Sequence, residues 1–490
     1  MVKKIRISGN TLFATAVLHA LVADAEGKSL TLADLEERAA RITNYYHRHG
    51  YVLARALIPA QVIREGAVVI EVVEARYGAI RLDNRSRVRT AVLQDTLSPL
   101  VSGQAIGQAD LDRALLLLAD IPGVGVNATL KAGEAFGTSD LLVNATADPL
   151  ISGSMVLDDY GNPYTGRELF SVTVNVIDPL HLGDILSLSC LSSGRGINYG
   201  RIAYEAVVDG EGTHFGGSYS TLHYIVGGPL ASLNANGTAQ VESLWAKQTL
   251  VRSRNFNLYA QIQYEQMQLS DQVDAGAIQT DRQLENWTVS LAGDARDTYL
   301  SRDVTIWRFD WTEGRDRFSN LVAELADAAT ARTQDGFSKL SASLCRLQSL
   351  SSKDELFLSF YGQWANGNLD SSEKMIAGGP DSVRAYDMGA ISADVGYLET
   401  AELRHDLGSA LSSQWQAVAF YDSAQVTVNK TTWAGGPNSA NLSGAGIGLN
   451  CAGRRQWSAK VSVAERIGPV PAPMASAASA RIWIEISKGF

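Results

Sequence analysis

The feature that most constrains this sequence is a strict alternation of apolar and polar residues, repeated from about residue 151 to the C-terminus. In FSVTVNVI every second residue from Phe170 to Val176 is apolar, and FNLYAQIQYE and WSAKVSVAER repeat the pattern. Side chains of a β-strand alternate between two faces, so this period predicts strands with one apolar and one polar face. Roughly sixteen such segments can be distinguished.

Strand length separates two interpretations of this pattern, a soluble sandwich and a transmembrane barrel. Strands of soluble sheets average about 5 to 6 residues. The segments here are longer, and strands of about 9 to 11 residues can cross a bilayer when tilted. In QWQAVAFYD, Trp415 and Tyr421 share a face at a separation of roughly 20 Å, which matches two interfacial aromatic girdles. The sequence therefore predicts a transmembrane antiparallel β-barrel.

The last segment, RIWIEISKGF, extends this prediction to closure of the sheet. Ile482, Ile484, Ile486 and Phe490 lie on one face of it. An open sheet edge in lipid would leave backbone groups unpaired at a cost of several kcal/mol each. We therefore expect this strand to pair with the first barrel strand, near Ser152.

The first 148 residues follow a different pattern, in which strands and helices are mixed. In TLADLEERAARITNYYHRHGY, Thr31 and Asp34 form a helix start signal, and apolar residues recur at helical spacing until Gly50. The order strand, helix, helix, strand, strand then repeats from AIRLDN onward. The sequence predicts two small α+β modules, residues 1–77 and 78–148, ahead of a barrel at 149–490.

Composition excludes several classes of function. The net charge of −10 argues against a nucleic-acid partner. Cys190, Cys345 and Cys451 are too far apart for a disulfide framework or a metal knuckle. No cofactor, metal or catalytic residue is predicted. The start MVKK with LFATAVLHALVADA is similar to a signal peptide, but polar residues in KIRISGNT interrupt it, so a folded start is expected.

Five motifs carry a resemblance to a known family: ISGNTLF, GYVLARALIP with VVIEVVEARYG, DIPGVGVNATLKAG, LDDYGNPYTGRE and VRAY. Together they resemble the outer-membrane transporters of two-partner secretion, the TpsB (FhaC/ShlB-like) branch of the superfamily that also contains BamA. The resemblance implies two POTRA domains in the periplasm and a barrel of sixteen strands in the bacterial outer membrane. Members commonly begin with a plug helix and a linker, whereas here the strand KIRIS begins at once.

The resemblance also implies a functional loop. In this family the loop after the eleventh barrel strand, here residues 366–393, folds into the lumen, where an aspartate on the wall holds its tip. The tip corresponds to four residues of this sequence, Val383, Arg384, Ala385 and Tyr386. Alanine stands where the family usually has glycine.

Residue chemistry supplies a wall partner independently of the resemblance. An arginine in a confined, partly dehydrated lumen favours a carboxylate partner. In QWQAVAFYD, Phe420 and Asp422 point inward and match the family's F-x-D motif. In the next strand, Gly444, Gly446 and Gly448 share one face, and we expect them to clear a groove for the loop. Phe490 is expected to mark the terminal strand for assembly.

The implied function is a pore that captures an unfolded exoprotein of the haemolysin or adhesin type and secretes it, with activation of that client left open. Capture is expected by strand addition at an exposed sheet edge, with ALIP beside Val52 to Ala54 as the candidate. The implied partners are a TpsA-type exoprotein, outer-membrane lipid and the barrel-assembly machinery, and the chain is expected to be a monomer.

Three alternatives remain on the sequence alone. A BamA-like insertase is disfavoured because that branch usually carries more POTRA repeats, and a passive porin has no need of soluble modules. An outer-membrane hydrolase would use His405 and Asp406, or His223. It is disfavoured because no serine stands in a recognisable nucleophile setting near them.

Overall fold

The computed structural model describes residues 1–297, 303–474 and 477–490. None of the helices in these ranges is long and apolar enough to cross a membrane.

The chain divides into two compact units. The first contains residues 1–148 with 209–211, and the second contains residues 149–208 with 212–490.

The first unit contains the two predicted α+β modules. Its elements in chain order are β1 (Lys4–Ser8), α1 (Thr15–Ala20), α2 (Leu32–Arg48), β2 (Arg55–Leu57), β3 (Ala67–Val73), β4 (Arg76–Arg85), α3 (Thr90–Leu97), α4 (Gln108–Asp120), β5 (Val124–Ala132) and β6 (Thr138–Ala147). They form two three-stranded sheets, ordered β1-β3-β2 and β4-β6-β5. The predicted element order is confirmed in both modules. Strand β4 begins at Arg76, two residues before the boundary expected at residue 78.

Helix α2 begins where the sequence predicts. The amide of Asp34 donates to the hydroxyl of Thr31, and the amide of Thr31 donates to the carboxylate of Asp34, which forms a capping box. Leu35, Ile42 and Tyr46 are buried along one face of the helix, which packs on the first sheet. The predicted helix is therefore confirmed, together with the capping residues and the buried apolar face from which it was predicted.

The run YVLARALIP has the pattern of one strand, but only part of it is a strand. Only Arg55–Leu57 is a strand, because the amide of Ala54 donates to the carbonyl of Tyr51 and closes a turn before it. The short strand β2 pairs with β3 on one side and lies at the edge of its sheet.

A buried carboxylate holds the first module together just after β3. Glu74 accepts hydrogen bonds from the amides of Thr11 and Leu12 at 2.7 and 2.9 Å and from the Tyr46 hydroxyl at 2.7 Å. Burial acts to raise the pKa of Glu74, but these hydrogen bonds to the charged form outweigh it, so the pKa lies below its ordinary value. The residues of ISGNTLF are thus tied to the end of β3.

This depressed pKa predicts acid sensitivity of the first module. Because the folded pKa lies below the unfolded value, the stabilisation is complete above the unfolded pKa of about 4.3 and is lost as the pH falls through the folded pKa. We expect hydrogen exchange at Thr11 and Leu12 to accelerate on acidification beyond its intrinsic pH dependence. The same measurement on Glu74→Gln should show faster exchange at neutral pH and none of this additional acceleration. An identical pH profile for both proteins would contradict the assignment.

The second unit is a closed barrel of sixteen strands, as predicted. Its elements are β7 (Ile151–Asp158), β8 (Leu169–Ile177), β9 (Asp184–Ser192), β10 (Ile197–Val207), β11 (Thr213–Ile225), β12 (Ala235–Arg252), β13 (Phe256–Val273), β14 (Ile278–Asp297), β15 (Asp303–Phe318), α5 (Leu321–Ala329), β16 (Asp335–Ser349), β17 (Asp354–Ala365), β18 (Met375–Ala377), β19 (Ile391–Ala393), β20 (Val395–Ala410), β21 (Ser413–Thr427), β22 (Ser439–Ala452), β23 (Trp457–Arg466) and β24 (Ala480–Gly489). Strands β18 and β19 form a separate two-stranded sheet outside the barrel ladder.

The barrel closes by pairing of β24 with β7, in the register Glu485↔Asp158 to Gly489↔Ser154. Phe490 extends the pairing, because its backbone N–H and C=O exchange hydrogen bonds of 3.0 and 2.9 Å with Gly153. Closure of the last strand on the first is thereby confirmed.

One helix in the barrel half was not expected from the sequence. Helix α5 follows β15, and its N-terminus is capped by the Asn320 side chain, which accepts a 2.7 Å hydrogen bond from the amide of Ala323. Its nine residues lie among many alternating segments, so a helical period is hard to recognise there.

Charged substitutions should have different effects on the outward and inward faces of a barrel strand. Val461 lies on the apolar outward face of β23, whereas Ser462 points inward. Arginine at position 461 should cost about 2 to 4 kcal/mol of unfolding free energy if it lies near the bilayer midplane, and arginine at 462 should be tolerated. Folding yields in lipid vesicles measure the difference. Equal yields for Val461→Arg and Ser462→Arg would contradict the assigned faces.

Candidate functional site in the barrel lumen

The loop at 366–393 follows β17, the eleventh strand of the barrel, and leads into β20. Its tip turns sharply, since the amide of Tyr386 donates to the carbonyl of Val383 at 3.1 Å. Val383, Ala385 and Tyr386 are buried in one apolar cluster with inward-facing residues of β21 and β22. The tip therefore packs against the inner wall of the barrel.

Arg384 forms a bidentate salt bridge with Asp422 on β21. Its Nε and Nη2 donate to the two carboxylate oxygens at 2.8 and 2.7 Å, and its own backbone amide donates to Oδ2 at 3.1 Å. The Asp422 side chain is fully buried and also accepts a 3.0 Å hydrogen bond from the hydroxyl of Thr400. The planar guanidinium fits this geometry where lysine would not.

A second carboxylate, which sequence reasoning missed, completes the site. Nη1 of Arg384 donates to Glu402 on β20 at 2.6 Å, and Arg404 donates to the other oxygen of Glu402 at 2.6 Å. Glu402 and Arg404 occupy the inward positions of β20. The alternation of polar and apolar residues in YLETAELRHD does not identify them as inward-facing, because Glu399 and His405 on the opposite face are also polar.

Aromatic rings enclose Arg384 on two sides. The carbon of its guanidinium lies 3.4 Å from the ring centroid of Phe420, a cation–π arrangement. The indole N–H of Trp483 on β24 donates to the carbonyl of Arg384 at 2.7 Å. Trp483 is almost completely buried. Ion pairs and a ring face thus hold the side chain of Arg384, and the indole of Trp483 holds its backbone.

The three glycines of β22 have different surroundings. A Cβ added at Gly444 would lie 2.4 Å from the Cβ of Ala385, so the loop tip passes directly over this position. A Cβ at Gly446 would lie 2.4 Å from the ring of Phe420, whereas Gly448 has no loop atom among its nearest neighbours. Ala385 does not have a positive φ, so alanine fits the tip without backbone strain.

Because Gly444 and Ala385 approach so closely, a larger residue at position 444 should be compensated by a smaller residue at position 385. Gly444→Ala should push the tip away from the wall, because real Cβ atoms do not approach to 2.4 Å. Ala385→Gly in the same chain removes the opposing Cβ and should restore most of the loss. Protease accessibility of the loop in the folded barrel measures the outcome. Equal accessibility in wild type and Gly444→Ala would contradict the placement of the tip.

The base of the loop is attached to a different part of the wall. Asp370 lies 2.9 Å from Nε of Arg282 on β14, and Glu373 lies 2.6 Å from Nζ of Lys339 on β16. The side-chain amide of Asn286 on β14 also donates to Glu373, at 2.7 Å. The loop therefore reaches across the lumen, from β14 and β16 at its base to β21 and β24 at its tip.

The hydrolase alternative gains no support from the geometry. Nδ1 of His405 lies 2.7 Å from Asp354, and the hydroxyl of Ser351 donates to the other oxygen of the same carboxylate at 2.6 Å. The carboxylate therefore stands between the serine and the imidazole. Asp406 accepts instead from the amide of Gly408, and His223 lies on β11.

Within residues 1–297, 303–474 and 477–490, no group of three or more histidine, cysteine, aspartate or glutamate side chains is placed to hold a metal ion.

Comparison with known proteins places the chain in a family. Residues 137–451 match the model of the haemolysin secretion/activation protein ShlB/FhaC/HecB, and residues 1–75 match the ShlB-type POTRA domain. The chain belongs to the ShlB/FhaC/HecB family. The haem/hemopexin transporter protein HuxB of Haemophilus influenzae is 28% identical over 471 residues, which cover 95% of this chain and 82% of that protein.

Solved structures agree with this fold. CdiB from Escherichia coli superposes with a TM-score of 0.79 at 20% identity, covering 100% of this chain and 90% of that one. BamA from Haemophilus ducreyi lacking POTRA domains 1–3 gives a TM-score of 0.57 at 12% identity, covering both chains completely. These likenesses are of fold alone. The match to the secretion family favours a transporter over an insertase.

The chain is therefore an outer-membrane transporter of the two-partner secretion type, with its POTRA region in the periplasm.

Proposed function

We propose that this chain secretes one partner protein through its barrel, and that the loop at 366–393 closes the pore until the partner arrives. The observation that carries the proposal is the set of contacts around Arg384, which joins two carboxylates and an aromatic face on the wall. Because an unpaired buried guanidinium is costly, we expect Arg384 to keep these partners unless the loop moves as a whole. We therefore assign Val383, Arg384, Ala385 and Tyr386 as the anchor of the gate, with Phe420 and Asp422 as its receptor.

Capture of the partner is assigned to the first unit. We assign residues 1–77 and 78–148 to the two POTRA domains and 149–490 to the barrel. Strand β2 is an edge strand, and an extended chain would add on its outer side, replacing the Thr43 hydroxyl that accepts a 2.9 Å hydrogen bond from the amide of Ala56. Val52, before the strand, and Leu57, its last residue, are exposed and offer apolar contacts for the partner's side chains.

The partner is proposed to be a TpsA-type exoprotein, since the relative HuxB is a haem/hemopexin transporter and the matched family is that of haemolysin secretion/activation proteins. Outer-membrane lipid surrounds the barrel, and the barrel-assembly machinery inserts it. The proposal requires neither a nucleic acid nor a second copy of the chain. It also requires no catalytic chemistry, because binding and folding of the partner outside the cell would drive export.

Deletion of the gene in its own bacterium tests the proposal. We expect one large exoprotein to fall at least tenfold in the medium, while the abundance of other outer-membrane barrels stays unchanged. Wild type should restore its secretion. A broad fall of many outer-membrane proteins would instead establish an insertase, and an unchanged medium would contradict a secretion role.

A further inference from the structure

The barrel closure is short in comparison with its neighbours. Strand β24 pairs with β7 over five residue pairs, whereas β23 and β24 pair over nine and β7 and β8 over eight. Outside this ladder, the amide of Asp159 donates to the carbonyl of Ile484 at 3.2 Å, the amide of Ile484 donates to the Asp159 carboxylate at 2.7 Å, and Phe490 exchanges two bonds with Gly153. Backbone hydrogen bonds between strands hold a barrel closed. Side-chain contacts across the closure should therefore contribute more to its stability than side-chain contacts between other strands do.

The inserted loop touches both sides of this closure. On one side, Arg481 of β24 donates to Oδ2 of Asp387, and Trp483 of the same strand donates to the carbonyl of Arg384. On the other side is the connection that follows β7, residues 159–168. There Arg167 donates to Oδ1 of Asp387 at 2.8 Å, and the side chain of Asn162 donates to the carbonyl of Met388 at 2.8 Å.

Asp387 is the residue that joins the two sides. Each of its carboxylate oxygens accepts from a different arginine, one on the last strand and one beside the first. The carboxylate is about a quarter exposed, and the Arg481 side chain is 18% exposed. Solvent therefore screens these pairs less than it screens surface pairs. Without the carboxylate, two like charges would face each other across the closure.

We propose that Asp387 couples the position of the loop to the strength of the barrel closure. While the loop occupies the lumen, Asp387 ties β24 to the connection after β7. When the loop moves, the two arginines lose the carboxylate between them and the β7–β24 pairing weakens. Asp387 is thus a positioning residue of the gate, distinct from the Arg384 anchor. The inference rests on the proposed function only in the step at which the loop moves.

Hydrogen exchange of the purified full chain in lipid vesicles tests this coupling without any secreted partner, so its result is independent of the proposed function. In Asp387→Asn, amides of residues 154–158 and 485–489 should exchange about tenfold faster, the change produced by about 1.4 kcal/mol. Amides of residues 355–360, between β16 and β20, should not change. Asp310→Asn is the matched control, because the Asp310 carboxylate is also about a quarter exposed and pairs with Arg308 at 2.8 Å, on a strand away from the closure.

A milder variant keeps the test decisive. Arg167→Gln cuts only the tie to the connection after β7 and removes a side chain that is 37% exposed, so it is expected to fold even where Asp387→Asn does not. It should also accelerate exchange at the closure, and the double variant should be no faster than Asp387→Asn. Closure exchange equal to that of Asp310→Asn, or acceleration spread over the whole barrel, would overturn the inference.

Discussion

Replacement of Arg384 by alanine is expected to reduce secretion of the partner at least tenfold while the barrel remains folded. The change leaves two carboxylates, Asp422 and Glu402, facing the space that the guanidinium filled. Breaking a buried ion pair typically costs about 3 to 5 kcal/mol. Movement of the loop can relieve part of this cost, so we expect the lesion in the gate and not in barrel assembly. Secretion is measured as partner in the medium per folded transporter.

A double-mutant cycle tests whether Arg384 and Asp422 act as one unit. Asp422→Ala leaves Arg384 with Glu402, so its loss should be smaller than that of Arg384→Ala. The double variant should be no worse than Arg384→Ala alone. Arg308→Ala is the matched control, because Arg308 also faces the lumen but pairs with Asp310 at 2.8 Å, on a strand away from the tip. Losses that add would mean that Arg384 and Asp422 do not act as one unit.

Replacement of Phe490 by aspartate is expected to leave little folded protein in the outer membrane, at most about a tenth of wild type. The backbone of Phe490 continues the closure onto Gly153, and a Cβ added at Gly153 would lie 2.6 Å from its ring. The ring therefore lies over Gly153, and an aspartate would leave that surface bare and place a charge on the outward face.

Heat-modifiable mobility on a gel measures the folded fraction of these variants. Phe490→Trp keeps an aromatic ring at the closure and should fold normally, which separates the effect of the ring from that of any substitution there. Wild-type mobility for Phe490→Asp would contradict the proposed role of this residue in assembly.

The barrel could be predicted because its physical cause is local. An alternating pattern such as FNLYAQIQYE assigns each side chain to a face without knowledge of its neighbours, and closure follows from the cost of an unpaired edge. Helix α2 was predictable for the same reason, since Thr31 and Asp34 lie three residues apart. Helix α5 was missed because it is short and is surrounded by strands.

The surroundings of Arg384 were only partly predictable, because they depend on contacts between distant strands. Asp422 could be chosen from the inward positions of its own segment. Glu402 and Trp483 could not, since nothing local shows that β20 and β24 meet at the loop tip. Asp387 was missed for the same reason, because its partners Arg167 and Arg481 are far from it in sequence.

The most direct test of the gate is ion conductance through single molecules in a planar bilayer. Arg384→Ala should release the loop tip and give larger or longer openings than wild type, and Arg384→Ala with Asp422→Ala should behave in the same way. Arg308→Ala should conduct like wild type. Conductance of Arg384→Ala that cannot be distinguished from that of wild type and Arg308→Ala would contradict the account, because the loop would then not close the pore through this contact.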